Sequence, residues 1–447
     1  MRPLYLFLRI TLPYALSVFF KRTKTLNAQK KLDAQTIFVC NHPSAFMDPL
    51  VAANFQSPVI YFATRGDIFN KWLHPITWAS HMVPIFRRDE DGTDAMKKNK
   101  DSFRYLGNVL LRKKSLILFG EGYTDNVFIR SLKPIKKGPA RIGFETMERC
   151  KWEEDIKVQA IGLNYSHPKS FRSDVLICMG DCIHLKEYKA LHDENPTKAV
   201  TELTRRIQDS MRSQLTYVDD KSLAPFVEQL LILSRKGMNH IHHDAEHSLE
   251  SRFHFSRQLA QTVNETYETE KEKWSALKND VEEYFEGLEK KGLNDNWIVR
   301  YMRKGSQKRP TDLLMFILGF PLALLGAIHN FVAYILIKRF VEKTFKREVF
   351  WSGVKMILGT TASALWNIPI FFLFTSYVYD SYLLACIYYL TVPAISGIFA
   401  HHYVSVLGDY LKSKKISEKD IQSSLEQRKN VIQKINALNL FEDNYSL

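Results

Sequence analysis

Cysteine is scarce: five residues, at 40, 150, 178, 182 and 386, in a chain of 447. An odd and scattered set excludes a disulfide framework. Cys178 and Cys182 have no second Cys or His pair at zinc-ligand spacing, so packed thiols in a reducing compartment and no bound metal are expected. Internal repeats and low-complexity runs are also lacking, which excludes repeat architectures. Acidic residues are too few to balance the basic ones: Lys+Arg 62 against Asp+Glu 48 leaves a formal charge of +14. That excess implies an anionic partner, whether nucleic acid, anionic lipid, an acidic carrier protein or a phosphate-bearing substrate. Long apolar segments select membrane lipid and leave no reason to expect nucleic acid.

What is present divides into five stretches. Residues 1–35 open with a mostly apolar run, 4–20, broken by Arg9 and Pro13 and followed by Lys21, Arg22 and Lys24. It is short for a spanning helix, so a retained membrane-associated anchor is expected, its basic cluster on anionic headgroups. Residues 36–217 alternate β-rich runs (36–40, 59–63, 83–86, 116–119, 158–163, 175–179) with helical periodicity (94–111, 139–148, 198–211), which predicts an α/β domain, a mixed sheet flanked by helices. Residues 218–310 are charged and helical. Their histidines at 240, 242, 243 and 247 lack the spacing and carboxylate partner of a catalytic metal site and read as surface groups.

Chemistry concentrates where strands of the α/β stretch end. The run Thr36-Ile37-Phe38-Val39-Cys40 leads into Asn41-His42-Pro43-Ser44-Ala45-Phe46-Met47-Asp48-Pro49. The two prolines stop the strand, and the turn they impose can bring imidazole and carboxylate together as a catalytic pair. A carboxylate on one ring nitrogen fixes the tautomer, and the other nitrogen then takes a proton from a hydroxyl. Arg87 and Arg88 follow the strand Val83-Pro84-Ile85-Phe86 and suit a phosphate or carboxylate. Gly120-Glu121-Gly122 follows the next strand, its glycines letting backbone N–H groups approach a ligand. Lys133-Pro134-Ile135-Lys136-Lys137-Gly138 then leads into a helix whose N-terminus suits a phosphate.

These motifs, in this order, resemble the glycerolipid acyltransferase family of glycerol-3-phosphate and lysophosphatidic acid acyltransferases. The resemblance covers residues 36–217. It implies that His42 is the general base and Asp48 its orienting partner. It also places Arg87 in the acceptor-phosphate motif and Glu121 with Gly122 in the acceptor-binding E-G motif; Asn41, Arg88 and Lys136, beside these motifs, complete the expected substrate-binding set. The family usually spaces the pair H-x4-D; the H-x5-D here resembles a glycerol-3-phosphate acyltransferase subgroup. The family commonly carries Thr-Arg after the E-G pair, where this chain has Tyr123-Thr124; that phosphate-binding arginine is missing unless Arg130, Lys133 or Lys136 replaces it in space, which leaves a lysolipid without a phosphate monoester as the third acceptor.

Beyond residue 310 the chain turns lipophilic. Residues 313–337 are apolar, interrupted by Gly319, Pro321 and Gly326, and flanked on both sides by basic residues; they read as a re-entrant or in-plane segment. Residues 354–377 and 383–407 read as a two-helix membrane hairpin turning at Asp380-Ser381, within a membrane region of 311–411. Residues 412–447 read as a cytoplasmic tail.

The expectation is a membrane-bound O-acyltransferase of phospholipid biosynthesis with its catalytic domain on the cytoplasmic face. The donor is an acyl thioester, acyl-CoA or acyl carrier protein, and no cofactor is needed. The first acceptor is 1-acylglycerol 3-phosphate; glycerol 3-phosphate and other lysolipids are the alternatives. Ser44, beside the histidine, lacks a nucleophile elbow and reads as a turn residue. A membrane scaffold or transporter with an inactive acyltransferase-like domain is the rival class.

Overall fold

The computed structural model describes residues 2–27, 34–53, 59–86, 92, 94–239, 241, 247–304, 310–413 and 416–438. The chain divides into two compact units, Met1–Lys221 with Ser248–Ala260, and Ser222–His247 with Gln261–Leu447.

In the first unit the elements run α1 (Pro3–Phe19), β1 (Arg22–Leu26), β2 (Thr36–Cys40), α2 (Met47–Ala53), β3 (Ile60–Arg65), α3 (His74–Ala79), β4 (Met82–Ile85), α4 (Asp94–Leu111) and β5 (Ser115–Phe119). They continue as α5 (Gly138–Arg149), β6 (Lys157–Tyr165), β7 (Asp174–His184), α6 (Lys189–Glu194) and α7 (Pro196–Ser213). The seven strands form one mixed sheet in the order β1-β7-β6-β2-β5-β3-β4, parallel throughout except between β6 and β7. Every residue of β2 is buried, as an interior strand covered on both faces requires. On one face, helices α4, α5 and α7 press Leu106, Leu110, Ile142, Met147, Leu203 and Ile207 onto Ile37, Val39, Leu116 and Leu118. Helix α7 shows why the local sequence folds so. Ala199, Leu203, Ile207 and Met211 recur every four residues on its buried side. Asn195 caps it by accepting the Lys198 N–H at 2.9 Å, and Pro196 occupies the first turn.

Two N-terminal features go beyond the expectation of an anchor. Helix α1 packs on the unit through Tyr5, Leu12, Ala15, Leu16 and Phe19, which are buried. Residues 22–26 form the edge strand β1, paired in parallel with β7. Two members of the basic cluster there meet protein partners. Arg22 donates from Nε and Nη2 to the two oxygens of buried Asp174 at 3.0 and 2.8 Å, and Lys24 pairs with Glu250 at 2.7 Å. Buried Arg252 completes the Asp174 site at 3.0 Å.

The second unit holds α8 (Ala224–Ser234), the end of α9 (Leu249–Thr266), α10 (Lys271–Lys290), α11 (Asp295–Lys304), α12 (Pro310–Thr344), α13 (Trp351–Tyr377), α14 (Tyr382–Ser413) and α15 (Glu418–Ala437). Three of these, α12, α13 and α14, are long and apolar enough to cross a membrane. Residues 313–337 do not turn back: they lie in α12, a single helix of 35 residues, about 52 Å at 1.5 Å per residue. Its glycines serve close packing, since a Cβ on Gly326 would stand 2.1 Å from the Ser396 carbonyl oxygen of α14. A polar knot ties the three helices: His329 bonds Asn367 through Nδ1 and Tyr388 through Nε2 at 2.8 Å, and Asn330 donates to the Pro393 carbonyl at 2.9 Å.

Outside these helices α10, α11 and α15 pack together. Asp295, fully buried at the start of α11, accepts from Tyr284 at 2.7 Å and from Arg428 Nε of α15 at 2.8 Å. The chain therefore enters the apolar helices and leaves them at one place. The connections 305–309 and 414–417 reach at most about 3.6 Å per residue, too little to cross a hydrocarbon core of about 30 Å. Three complete crossings would separate α11 from α15, so their packing favours an even number. Cysteines placed at the exposed positions Lys290 and Lys419 are expected to react identically with an impermeant thiol reagent in intact cells, both labelled or both protected. Opposite labelling of the two would overturn the even count.

His81, between α3 and β4, stands at φ 60° with its ring 4.6 Å from that of Tyr5 and 4.5 Å from that of Tyr61. It is buried and neither ring nitrogen has a hydrogen-bond partner. Burial, with Arg2 adding repulsion, lowers its pKa from 6.5 to about 4. Between those values the unfolded chain binds more protons than the folded one, so stability falls as pH drops through the window. The expected result is a melting temperature that declines from about pH 6.5 to 4 in the native protein. His81→Asn, which accepts the same left-handed backbone, should decline less; equal slopes would remove His81 as the cause.

Candidate active site

The sheet's central strand β2 delivers Asn41 and His42 to its C-terminal edge. Asn41 extends the ladder with its side chain: Nδ2 donates to the Leu163 carbonyl at 3.1 Å and Oδ1 accepts the Leu163 N–H at 2.7 Å. The chain then turns, with Ala45 at φ 42°, into α2, whose first turn carries Asp48. That turn closes the gap between the histidine and the carboxylate six residues on.

His42 Nδ1 lies 2.8 Å from Asp48 Oδ2. The same oxygen accepts the Ser44 N–H at 2.8 Å, and Oδ1 accepts the Tyr165 hydroxyl at 2.9 Å. Asp48 is 0% exposed, and burial pushes its carboxyl above the ordinary carboxylate range while these three donors pull it back. Burial and the neighbouring Asp48 drive the Tyr165 phenol well above its usual value, so it acts as a donor. With Asp48 accepting at Nδ1, the neutral form of the ring is the tautomer that leaves a lone pair on Nε2. The imidazole is stacked on Phe119 at 4.3 Å and 22°, with 18% of its side chain exposed.

Glu121 holds the site from the other side. Its Oε1 accepts the His42 backbone N–H at 2.6 Å and its Oε2 the Lys133 N–H at 3.1 Å. Glu121, which also lines the cleft, is thus a clasp between the His42 turn and the following loop. Burial raises the Glu121 carboxyl, opposed by these two bonds. Gly120 is fixed by space, since a Cβ there would stand 2.8 Å from Ile135 and from Val39, and Gly122 by its φ of +80°.

The loop from Tyr123 to Ile135 walls a solvent-open cleft of about 520 Å³, lined by Asn41, His42, Glu121, Arg130, Lys133 and Tyr165 among others. Arg130 and Lys133 are buried in that wall. Lys133 Nζ pairs with Asp125 at 3.0 Å and lies 3.6 Å from the centroid of the Tyr123 ring. Lys136 is exposed and does not line the cleft. Ser44 Oγ is buried, has no hydrogen-bond partner and does not line the cleft either. Arg87 and Arg88 lie outside the described residues, as do His240, His242 and His243. Among the described residues no group of three His, Cys, Asp or Glu side chains is placed to hold a metal.

Tyr165 and Phe119 were not legible as site residues, because each gains its role only through the pairing of β6 and β5 beside β2. No family model, curated protein or solved structure matches this chain.

If Glu121 is the clasp, Glu121→Gln is expected to lower the melting temperature, because one amide oxygen cannot accept both N–H groups and the amide nitrogen faces the second. A buried unsatisfied N–H costs about 1–3 kcal/mol. Unchanged melting, with unchanged protease resistance of residues 122–137, would show that the clasp does not hold the loop.

Proposed function

We propose that the first unit is an acyltransferase of the glycerolipid type, moving an acyl group from a thioester to the hydroxyl of 1-acylglycerol 3-phosphate. The observation that carries this reading is a histidine at the cleft whose Nδ1 is locked by a buried carboxylate and whose Nε2 is available, beside two buried cations.

The acceptor oxygen attacks the thioester carbonyl as Nε2 of His42 takes the hydroxyl proton. The carbon–sulfur bond breaks, and the imidazolium returns the proton to the departing thiolate, giving an ester and a free thiol. Asp48 stabilises the imidazolium during the step. A thioester is already activated, so proton transfer, positioning and charge stabilisation suffice. Arg130 and Lys133 meet the acceptor's phosphate in place of the arginine that the family carries after its E-G pair. The H-x5-D spacing favours glycerol 3-phosphate as the second acceptor. Basic clusters around the apolar helices favour a cytoplasmic catalytic unit, the compartment of soluble acyl-CoA or acyl carrier protein.

Purified protein in lipid, given labelled thioesters and an acceptor panel, tests this. His42→Ala is expected to abolish transfer, and Asp48→Asn to lower it by about a hundred- to ten-thousand-fold. Arg130→Ala is expected to raise KM for phosphorylated acceptors while sparing phosphate-free ones. Native turnover by the His42 variant would end the mechanism.

A further inference from the structure

The first unit carries an apolar surface that none of its elements covers. On α1, Phe7, Ile10 and Tyr14 form an outward stripe with Leu6 beside it, opposite the face that packs on the unit. Next to it the segment 66–79 exposes Ile68, Trp72, Leu73, Ile76 and Trp78, with Trp72 91% exposed. The two pieces adjoin: Arg2, at the start of α1, donates to the Trp78 carbonyl and sets its guanidinium 4.3 Å from the Trp78 ring centroid. A run of outward aromatic and branched side chains on a short helix and its preceding turn is unlike the scattered apolar residues of a solvent-facing surface.

Charge distinguishes the occupant. Helix α1 contains no acidic residue, and its exposed Arg9 lies within the apolar stretch. Lys71 and His74 are exposed around Trp72. The one acidic residue of the segment, Asp67, is bonded by Arg65 at 3.0 and 2.8 Å. Tryptophan and tyrosine beside lysine and arginine, with acid neutralised, match the boundary between acyl chains and anionic headgroups. The same chain carries three helices apolar enough to cross a membrane, which favours a bilayer as the occupant.

We infer that α1 and the 66–79 segment together form a lipid-docking surface, with Trp72, Leu73 and Ile76 immersed at the level of the glycerol backbone and Lys71 and Arg9 on anionic headgroups. The α1 helix then lies along the interface as one half of a two-part surface. The second half comes from a segment whose sequence gave no membrane signal.

The test uses the full-length protein in vesicles of three parts phosphatidylcholine to one part phosphatidylglycerol. Tryptophan emission is compared between the native protein and the Trp72→Phe, Trp78→Phe double variant; the difference isolates the two side chains from the other five tryptophans. The expected result is a difference spectrum quenched by lipid brominated at shallow acyl positions and shielded from aqueous acrylamide. Quenching by acrylamide alone would leave the surface in water and overturn the inference. Shielding from both quenchers would mean that a second copy or another protein covers it, and would overturn it equally. Leu73→Asp with Ile76→Asp, which keeps both tryptophans, is expected to move the Trp72 and Trp78 difference signal to the acrylamide-accessible class; an unmoved signal would overturn the inference. No readout depends on acyl transfer, so the docking surface and the proposed reaction can fail separately.

Discussion

A carboxylate with no exposure to water needs donors on both oxygens, and the arrangement of the first unit around β2 supplies them to Asp48. The Ser44 N–H comes from the turn, the Tyr165 hydroxyl from the end of β6, and the His42 ring from the end of β2. Three chain segments must be in register before Asp48 can be buried at all. The placement of β6 directly beside β2, with Cys40 paired to Ile161, is therefore a condition for the histidine's orientation as well as a feature of the sheet.

A second buried carboxylate divides the work. Glu121 makes no contact with the imidazole nitrogens; it fixes the backbone from which the imidazole projects and the loop that brings Lys133 to the cleft. Asp48 sets the ring and Glu121 sets the frame. Lys133, paired with Asp125 and stacked on Tyr123, enters the wall with its charge already accompanied. Any anion arriving in the cleft competes with Asp125 for it.

Much of this was readable in the residues, and the failures have physical causes. The runs that became β2 and β5 were readable because they are apolar on both faces, which is how interior strands of a covered sheet read. β1 escaped because Arg-Thr-Lys-Thr-Leu is polar on its open side, as an edge strand is. The pairing of His42 with Asp48 followed from the prolines that force a turn, whereas the Tyr165 hydroxyl could not be placed without the sheet order. Gly319, Pro321 and Gly326 suggested a break in residues 313–337, yet α12 runs through them. At Gly326 the missing side chain is what lets α14 approach, so the same residue that signals a turn in isolation signals a contact in a packed bundle.

The ion pair of Asp295 with Arg428 joins residues 133 positions apart, with all three apolar helices between them. Asp295 is made before the three apolar segments and Arg428 after them, so the pair can form only once all three have been synthesised. A chain that ended before α15 would lack the arginine, and the cost of burying that carboxylate would rise accordingly.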